Sequence, residues 1–456
     1  MQNVLLVTVD SLRADHVGYH GYDRATTPNL DSMAESAHTF SNAFANGCST
    51  RRSFPSILSS TYPLMYGGFE KISAERTLVS EAFDDAGYAT GGFQSNPHLL
   101  EEFGYGRGFD RYFGSNTEAS STSRLRQFVK QTFDDDGLVF KTLKAGEDFS
   151  ERVVGYNPGE ASVRADKKTD AALEWIRSVD EPAFLWVHYM DVHHPYHPPD
   201  EHQLAFRDST VSKREAIKLR RKMLEDPDDV TDEELQTIID LYDAEIRFFD
   251  AEMHRLVEGI REALSGETLI AVTSDHGDEF RDHHGFAHYD TFYDELLHVP
   301  LVLDVDGSGE YDDLVSLLDL APTLLEYASV EAPETFVGES LSAVIDGESW
   351  GKEAVIAESG SLDPEEFRCS YRTENWKYIR GGNHRQAPNK PPEELYDLDV
   401  DSSEEENLIN DATKIAEDLR EAVETHKERV AETDQDIETV EIDAETQQRL
   451  EDLGYK

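Results

Sequence analysis

The stretch Val4-Leu5-Leu6-Val7-Thr8-Val9-Asp10 decides how the rest of the chain is read. Its first six residues are apolar or β-branched and do not alternate with polar ones, so both faces of this strand are expected to be covered, as in a parallel α/β sheet. The run ends in a carboxylate followed by a turn, the place where such sheets carry functional groups. Three further runs share its character: Ala183-Phe184-Leu185-Trp186-Val187-His188, Leu269-Ile270-Ala271-Val272-Thr273-Ser274-Asp275 and Val299-Pro300-Leu301-Val302-Leu303-Asp304. Over 234–263 the apolar residues Leu235, Ile238, Leu241, Ile246, Phe249, Met253, Leu256 and Ile260 recur at helical spacing. Strands alternating with helices predict a mainly parallel central sheet flanked by helices.

After Thr323 the pattern changes to short strands over 354–358, 369–380 and 394–398, then an acidic helix around 411–431. At 456 residues the chain exceeds what one core usually supports. The expected division is a catalytic domain over 1–335 and a smaller C-terminal α+β subdomain over 336–456. Residues 115–170, polar and weakly periodic, and residues 200–230 read as insertions or lids over the sheet. The second of these holds the one basic cluster, Lys213, Arg214, Lys218, Arg220, Arg221 and Lys222, which reads as a solvated helix face paired with surrounding acids.

The charge balance is extreme: 94 Asp and Glu against 42 Lys and Arg give a formal net charge of -52. A polyanionic nucleic acid would be repelled, so nucleic-acid binding is excluded as a reading. The acids are spread along the chain, which points to a surface property and to adaptation to concentrated salt, where self-repulsion is screened. The N-terminal apolar run lacks a basic flank and a small-residue cleavage site, so it reads as a strand and not as a signal peptide. No stretch is long enough to span a bilayer, and two cysteines, Cys48 and Cys369, provide no disulfide framework. A cytoplasmic protein without membrane attachment is the expectation.

Strand ends collect Asp10, Asp275 and His276. Hard oxygen donors with one imidazole suit a single divalent cation, Ca, Mg, Mn or Zn. Histidines gather in two further places, His188, His193, His194 and His197 in one segment and His283, His284 and His288 in another. Two such clusters beside strand ends point to at least one functional member.

At this level of detail the chain resembles the sulfatases of the alkaline phosphatase superfamily. The resemblance is carried by VTVDSLRADHVGYHGY, TTPNLDSMAESAHTFSNAFANG, DVHHPYHPP and TSDHGDEFRDHHGFAHYDTFYDELLHVPLV. It continues, in order, through VSLLDLAPTLLE, FVGESLSAVIDG, RTENWKYIRG and EELYDLDVDSSEEENL. It implies that Asp10, Asp275 and His276 hold the metal, and that His193 and His288 contact the ester oxyanion or assist the leaving group. The substrate it implies is a small anionic ester, with a sulfated or phosphorylated sugar among the candidates. The chemistry is attack on sulfur or phosphorus by a metal-bound side chain.

Two departures stand out. Ser11 replaces the second aspartate found in many members, which favours a four-ligand shell of Asp10, Asp275, His276 and the nucleophile. Sulfatases also carry a Cys or Ser in a Cys-x-Pro-x-Arg context that is oxidised to formylglycine, whereas this chain reads GCSTRRSFPSILSSTYP. Counting back from LSSTYP without gaps puts Thr50 at the nucleophile position and Phe54 where the arginine is expected. Cys48 with Arg52 keeps the Cys-to-Arg spacing but requires two extra residues and has Thr50 in place of the proline. Thr50 is the favoured nucleophile and a metal ligand, with Arg51 or Arg52 replacing the missing guanidinium. A threonine resembles the phosphodiesterase and phosphoryl-transferase branches, which are the alternative activities. A pseudoenzyme that binds an anion without turnover is the reading from a different class.

Overall fold

The computed structural model describes residues 2–113, 162–381 and 390–435, with isolated positions up to 450. Among the described residues the central sheet has eight strands: β1 Asn3–Val9, β2 His38–Phe40, β3 Ala89–Phe93, β4 Arg111–Phe113, β5 Ala183–Tyr189, β6 Thr268–Ser274, β7 Leu301–Asp304 and β8 Gly309–Tyr311. Their spatial order is β8-β2-β7-β6-β1-β5-β3-β4. β1 lies parallel to β5 on one side, with Val7 opposite Val187, and to β6 on the other, with Val7 opposite Val272.

This central position explains the unbroken apolar reading of residues 4–9. Val4 and Leu6 enter one core with Phe184, Trp186, Leu269 and Ala271. Leu5, Val7 and Val9 enter the other with Leu185, Val187, Ile270 and Val272. Successive side chains point to opposite faces, and both faces are covered. Each such Val or Leu contributes roughly 1.5–3 kcal/mol by leaving water.

One face is covered by α1 Thr50–Ser59 and the helix Leu320–Tyr327, the other by α2 Ala165–Ile176, with α4 Asp232–Ala263. α4 starts at a capping box: Thr231 Oγ1 accepts from Glu234 N at 3.3 Å and Glu234 Oε2 accepts from Thr231 N at 2.8 Å.

Two expectations need correction. The run 299–304 joins the sheet only from Leu301, since Pro300 has no N–H to give to a ladder, and it lies antiparallel to β6 where a parallel strand was expected. Of the insertion expected over 115–170, residues 115–161 lie outside the described residues. Its end is not a lid, since α2 buries Ala165, Lys168, Thr169, Ala172 and Leu173 at helical spacing. The second insertion forms the short helix Asp200–Gln203 and α3 Lys213–Glu225. Arg221 and Lys222 of α3 pair with Glu225 and Glu234, and Arg220 turns toward the sheet.

The C-terminal part forms a four-stranded antiparallel sheet from Val355–Ser359, Arg368–Arg372, Trp376–Arg380 and Glu393–Asp397, in sequence order. The helix Thr413–Ala431 lies against it. Asn46 ties its first strand to the loop before α1: Nδ2 donates to the Ile356 carbonyl at 2.8 Å, and the Asn46 carbonyl accepts from Glu358 N at 2.9 Å. No described helix is long and apolar enough to cross a membrane.

Candidate active site

Parallel strands deliver their C-terminal ends to one edge of the sheet, and at β1 and β6 these ends carry carboxylates. Asp10 follows β1, its N–H bonded to the Tyr189 carbonyl at 2.8 Å, and Asp275 follows β6, its N–H bonded to the Val9 carbonyl at 3.2 Å. Register therefore sets the two carboxylates side by side. His276 donates Nδ1–H to the Gly277 carbonyl at 2.7 Å, which leaves Nε2 as the nitrogen that faces them. That Nε2 lies 3.7 Å from Asp10 Oδ1 and 3.6 Å from Asp275 Oδ2.

Thr50, the first residue of α1, completes the group. Its hydroxyl donates to Asp10 Oδ2 at 3.2 Å and sits 3.4 Å from His276 Nε2. The N-terminus of α1 directs its positive dipole end to the same point, which favours negative charge there. Asp10, Thr50, Asp275 and His276 are all fully buried.

Ser11 takes a left-handed φ of 63°, an uncommon conformation for a residue other than glycine. It thereby donates Oγ–H to Asp10 Oδ1 at 2.9 Å and N–H to Asp275 Oδ1 at 3.2 Å. At the position where the family resemblance led us to expect a carboxylate, a hydroxyl braces the two that remain.

These residues fit a divalent cation. Two carboxylates and an imidazole converge in a site without solvent exposure, and Asp275 Oδ2 has no hydrogen-bond partner among the described residues. Burial, and then the charge of Asp10, push the Asp275 carboxyl well above its ordinary range. Keeping both carboxylates ionised side by side in this buried site requires a compensating positive charge.

A second group lies beside the first. His193 donates Nδ1–H to the His194 carbonyl at 2.6 Å, and His288 Nδ1 pairs with Asp278 Oδ1 at 3.0 Å. The His288 ring centroid is 4.5 Å from that of His276 and 5.1 Å from that of His193. Burial pushes His193 down to about 4, so at neutral pH its ring is uncharged. Arg220 of α3 donates Nε–H to His194 Nδ1 at 3.2 Å, which brings the basic cluster to the edge of this group.

Cys48 and Arg52 face elsewhere. The Cys48 thiol donates to Asp290 Oδ1 at 3.8 Å, the same oxygen that Arg52 Nη2 meets at 2.7 Å and Ser359 Oγ at 2.9 Å. Arg52 also donates to Ser49 Oγ at 2.7 Å and lies over the Phe69 ring. Arg51 pairs with Glu70. Both arginines thus pair with acidic partners outside the Thr50 group.

Sequence reasoning missed Asn96, whose Nδ2 donates to Asp10 Oδ2 at 3.0 Å and to Thr50 Oγ1 at 3.3 Å. It also missed the role of Asp278 behind His288, and of Lys168, which donates to Ser95 Oγ at 3.1 Å and to the His188 carbonyl. Burial pushes the Lys168 amine down to about 8. Asn96 follows β3, a strand hidden by its sequence Ala-Thr-Gly-Gly-Phe. Gly91 and Gly92 are there for space, since a Cβ would come within 2.6 Å of the Trp175 ring at the first and 2.8 Å of the Tyr112 ring at the second.

Comparison with known proteins agrees with this architecture. The family model described as Sulfatase matches residues 2–330, and the one described as N-sulphoglucosamine sulphohydrolase, C-terminal, matches residues 282–429. An arylsulfatase of Clostridium perfringens is 24% identical over 451 residues, covering 90% of each chain. Human iduronate 2-sulfatase is 25% identical over 73% of this chain and 69% of its own length. Among solved structures, the phosphonate monoester hydrolase of Agrobacterium radiobacter superposes with a TM-score of 0.68 at 20% identity, covering 95% of this chain and 96% of that one. An enzyme solved with its substrate D-glucosamine-2-N,6-O-disulfate superposes with a TM-score of 0.70 at 18% identity, covering 94% and 98%.

Proposed function

The chain belongs to the sulfatase family and is a sulfatase-like ester hydrolase, and on that premise we propose that Thr50 attacks the sulfur or phosphorus atom of a small anionic ester. The observation that carries the proposal is the convergence of Thr50 Oγ1 with Asp10 and His276 at the head of α1. Asp10, Asp275, His276 and Thr50 would hold one divalent cation. When bound, such a cation neutralises the oxygens of the ester and favours an ionised hydroxyl.

The residues of the chain supply the rest. Asn96 donates to Thr50 Oγ1, so the proton of that hydroxyl is turned away from Asn96 and toward Asp10. The ionised Oγ1 forms a bond to the sulfur or phosphorus while the bond to the alcohol oxygen breaks, and the alcohol leaves with a proton. His288, its Nδ1 held by the Asp278 carboxylate at 3.0 Å, is the residue placed to give that proton. In the second half, water displaces Thr50, whose oxygen leaves in the ionised form in which it attacked. Uncharged His193, with Nδ1–H committed to the His194 carbonyl, accepts the water's proton at Nε2.

Threonine at this position favours attack by a simple hydroxyl over formylglycine chemistry, and this links the chain to phosphodiester and phosphoryl-transfer enzymes as well as to sulfatases. The disulfated glucosamine bound by one structural relative supports a sulfated or phosphorylated sugar as substrate. Paired aryl sulfate, aryl phosphate and phosphonate esters, assayed on wild type and Thr50→Ala with a defined metal, test the reading. Turnover of at least one ester that disappears in the variant is expected. Equal turnover by the variant would remove Thr50 from the mechanism.

A further inference from the structure

His188 is the penultimate residue of β5, one strand away from Asp10, and nothing in the mechanism above uses its side chain. The ring is fully buried. Its Nδ1 is engaged by Thr8 Oγ1 at 3.0 Å, an oxygen that also accepts from Trp186 Nε1 at 3.0 Å. Its face and edge are fixed by Trp186 and by Phe54, whose ring meets it edge-on at 4.9 Å. Lys168 holds its backbone carbonyl.

With the ring so fixed, Nε2 has no hydrogen-bond partner among the described residues and lies 3.6 Å from Asp10 Oδ2. That separation is too long for a hydrogen bond. Asp275 Oδ2 likewise has no hydrogen-bond partner among the described residues, and the donor atoms of Asp10, His188 and Asp275 lie within 4.8 Å of one another. Leaving two such atoms buried without a hydrogen bond is unfavourable, and a shared cation would satisfy both. Donors that share one ion at roughly 2.0–2.2 Å stand about 3.0–3.5 Å apart, so the His188 Nε2–Asp10 Oδ2 pair is already close to that spacing, and the wider pairs of the set, none beyond 4.8 Å, close by up to about 1.5 Å around an ion.

Resting on the metal reading above, we infer that His188 is a further ligand of the cation, through Nε2. The two departures from the family pattern support it: Ser11 withholds a carboxylate, and Phe54, where an arginine is expected, provides an apolar wall for an imidazole. The resulting shell has Asp10 and Asp275, His188 and His276, and Thr50. Two imidazoles with only two carboxylates select a borderline transition metal such as zinc or manganese over calcium or magnesium.

The wild-type protein loaded with one equivalent of zinc and examined by X-ray absorption fine structure tests this without any mutation. Scattering from two imidazoles is expected, and a single imidazole would overturn the inference. Competition titrations of zinc against calcium on His188→Gln and His188→Asp give the second readout, with circular dichroism to check the fold. His188→Gln is expected to lose at least about tenfold in zinc affinity, and His188→Asp to shift preference toward calcium. Unchanged zinc affinity in both variants would mean that Nε2 carries a proton toward Asp10, and His188 would not be a ligand. If wild type binds no divalent cation at all, the metal reading itself fails, and that result needs no variant to be seen.

Discussion

Thr50 and Cys48 are two residues apart and occupy opposite chemical surroundings. Thr50 begins α1 and meets Asp10, Asn96 and His276, all groups at strand ends. Cys48 precedes the extended residue Ser49 and looks toward Asp290 and the C-terminal sheet. Burial pushes its thiol up to about 12, against the opposing effect of Arg52. At neutral pH it is a protonated, enclosed thiol and a poor nucleophile. The turn into a helix sends neighbouring side chains to different faces, so a shift of two positions in the alignment exchanges one chemistry for another.

The largest effect that would break this contrast is on turnover. Thr50→Ala is expected to lose on the order of 10⁴-fold or more in kcat, whereas Cys48→Ala should stay within about threefold while losing roughly 1 kcal/mol of stability for a buried side chain. Steady-state kinetics with denaturant melts of both variants separate the two outcomes, and a dead Cys48→Ala that is still folded would reverse the assignment. Next in size is the loss of charge beneath Thr50. Asp275→Asn should lower metal occupancy and activity together, by at least about tenfold, because an amide brings no charge to the shell; elemental analysis showing full occupancy would remove Asp275 from it.

The neighbouring histidines follow. His288→Ala and His193→Ala are each expected to cost about 10²–10⁴-fold in turnover on a poorly activated ester. His288→Ala should lose less on esters whose alcohol leaves easily, since its proton is then not needed. An equal loss on both kinds of ester would contradict its part as the acid.

Smaller still is the reactivity of the thiols. Cys48 and Cys369 are both buried with raised pKa values, so a thiol reagent at pH 8 should modify neither in the native protein and both in denaturant. Rapid native labelling of Cys48 would show that its pocket is open.

Salt should leave the ratio of the two variants' activities unchanged. With a net charge of -52, the unfolding midpoint itself is expected to rise from dilute buffer to molar salt, as the screening length falls from about 10 Å at 0.1 M to about 3 Å at 1 M. A midpoint that falls or stays constant would count against adaptation to brine.

How far the sequence was legible follows from how each residue reports its surroundings. Residues 4–9 show their central place in the sheet because apolarity on both faces is visible one residue at a time. Asp10, Asp275 and His276 are legible as strand-end acids and an imidazole. β3 was not legible, because close packing against Trp175 and Tyr112 selects glycine and erases the strand signature, and Asn96 was lost with it. His188 was visible as one of several histidines, but its contact with Asp10 depends on the β1–β5 register, which pairs Thr8 with His188. Arg52 kept the expected spacing from Cys48 yet pairs with Asp290, since spacing alone does not determine the face of a helix turn.

If Thr50 is the nucleophile, its oxygen bonds covalently to the transferred group during turnover. Rapid quenching of wild type during turnover of a slow aryl ester, followed by peptide mapping of residues 42–62, measures this directly. The account predicts a sulfate or phosphate mass localised on Thr50, with Cys48 recovered as an unmodified thiol. A formylglycine mass at Cys48, or an adduct on that side chain, would contradict it.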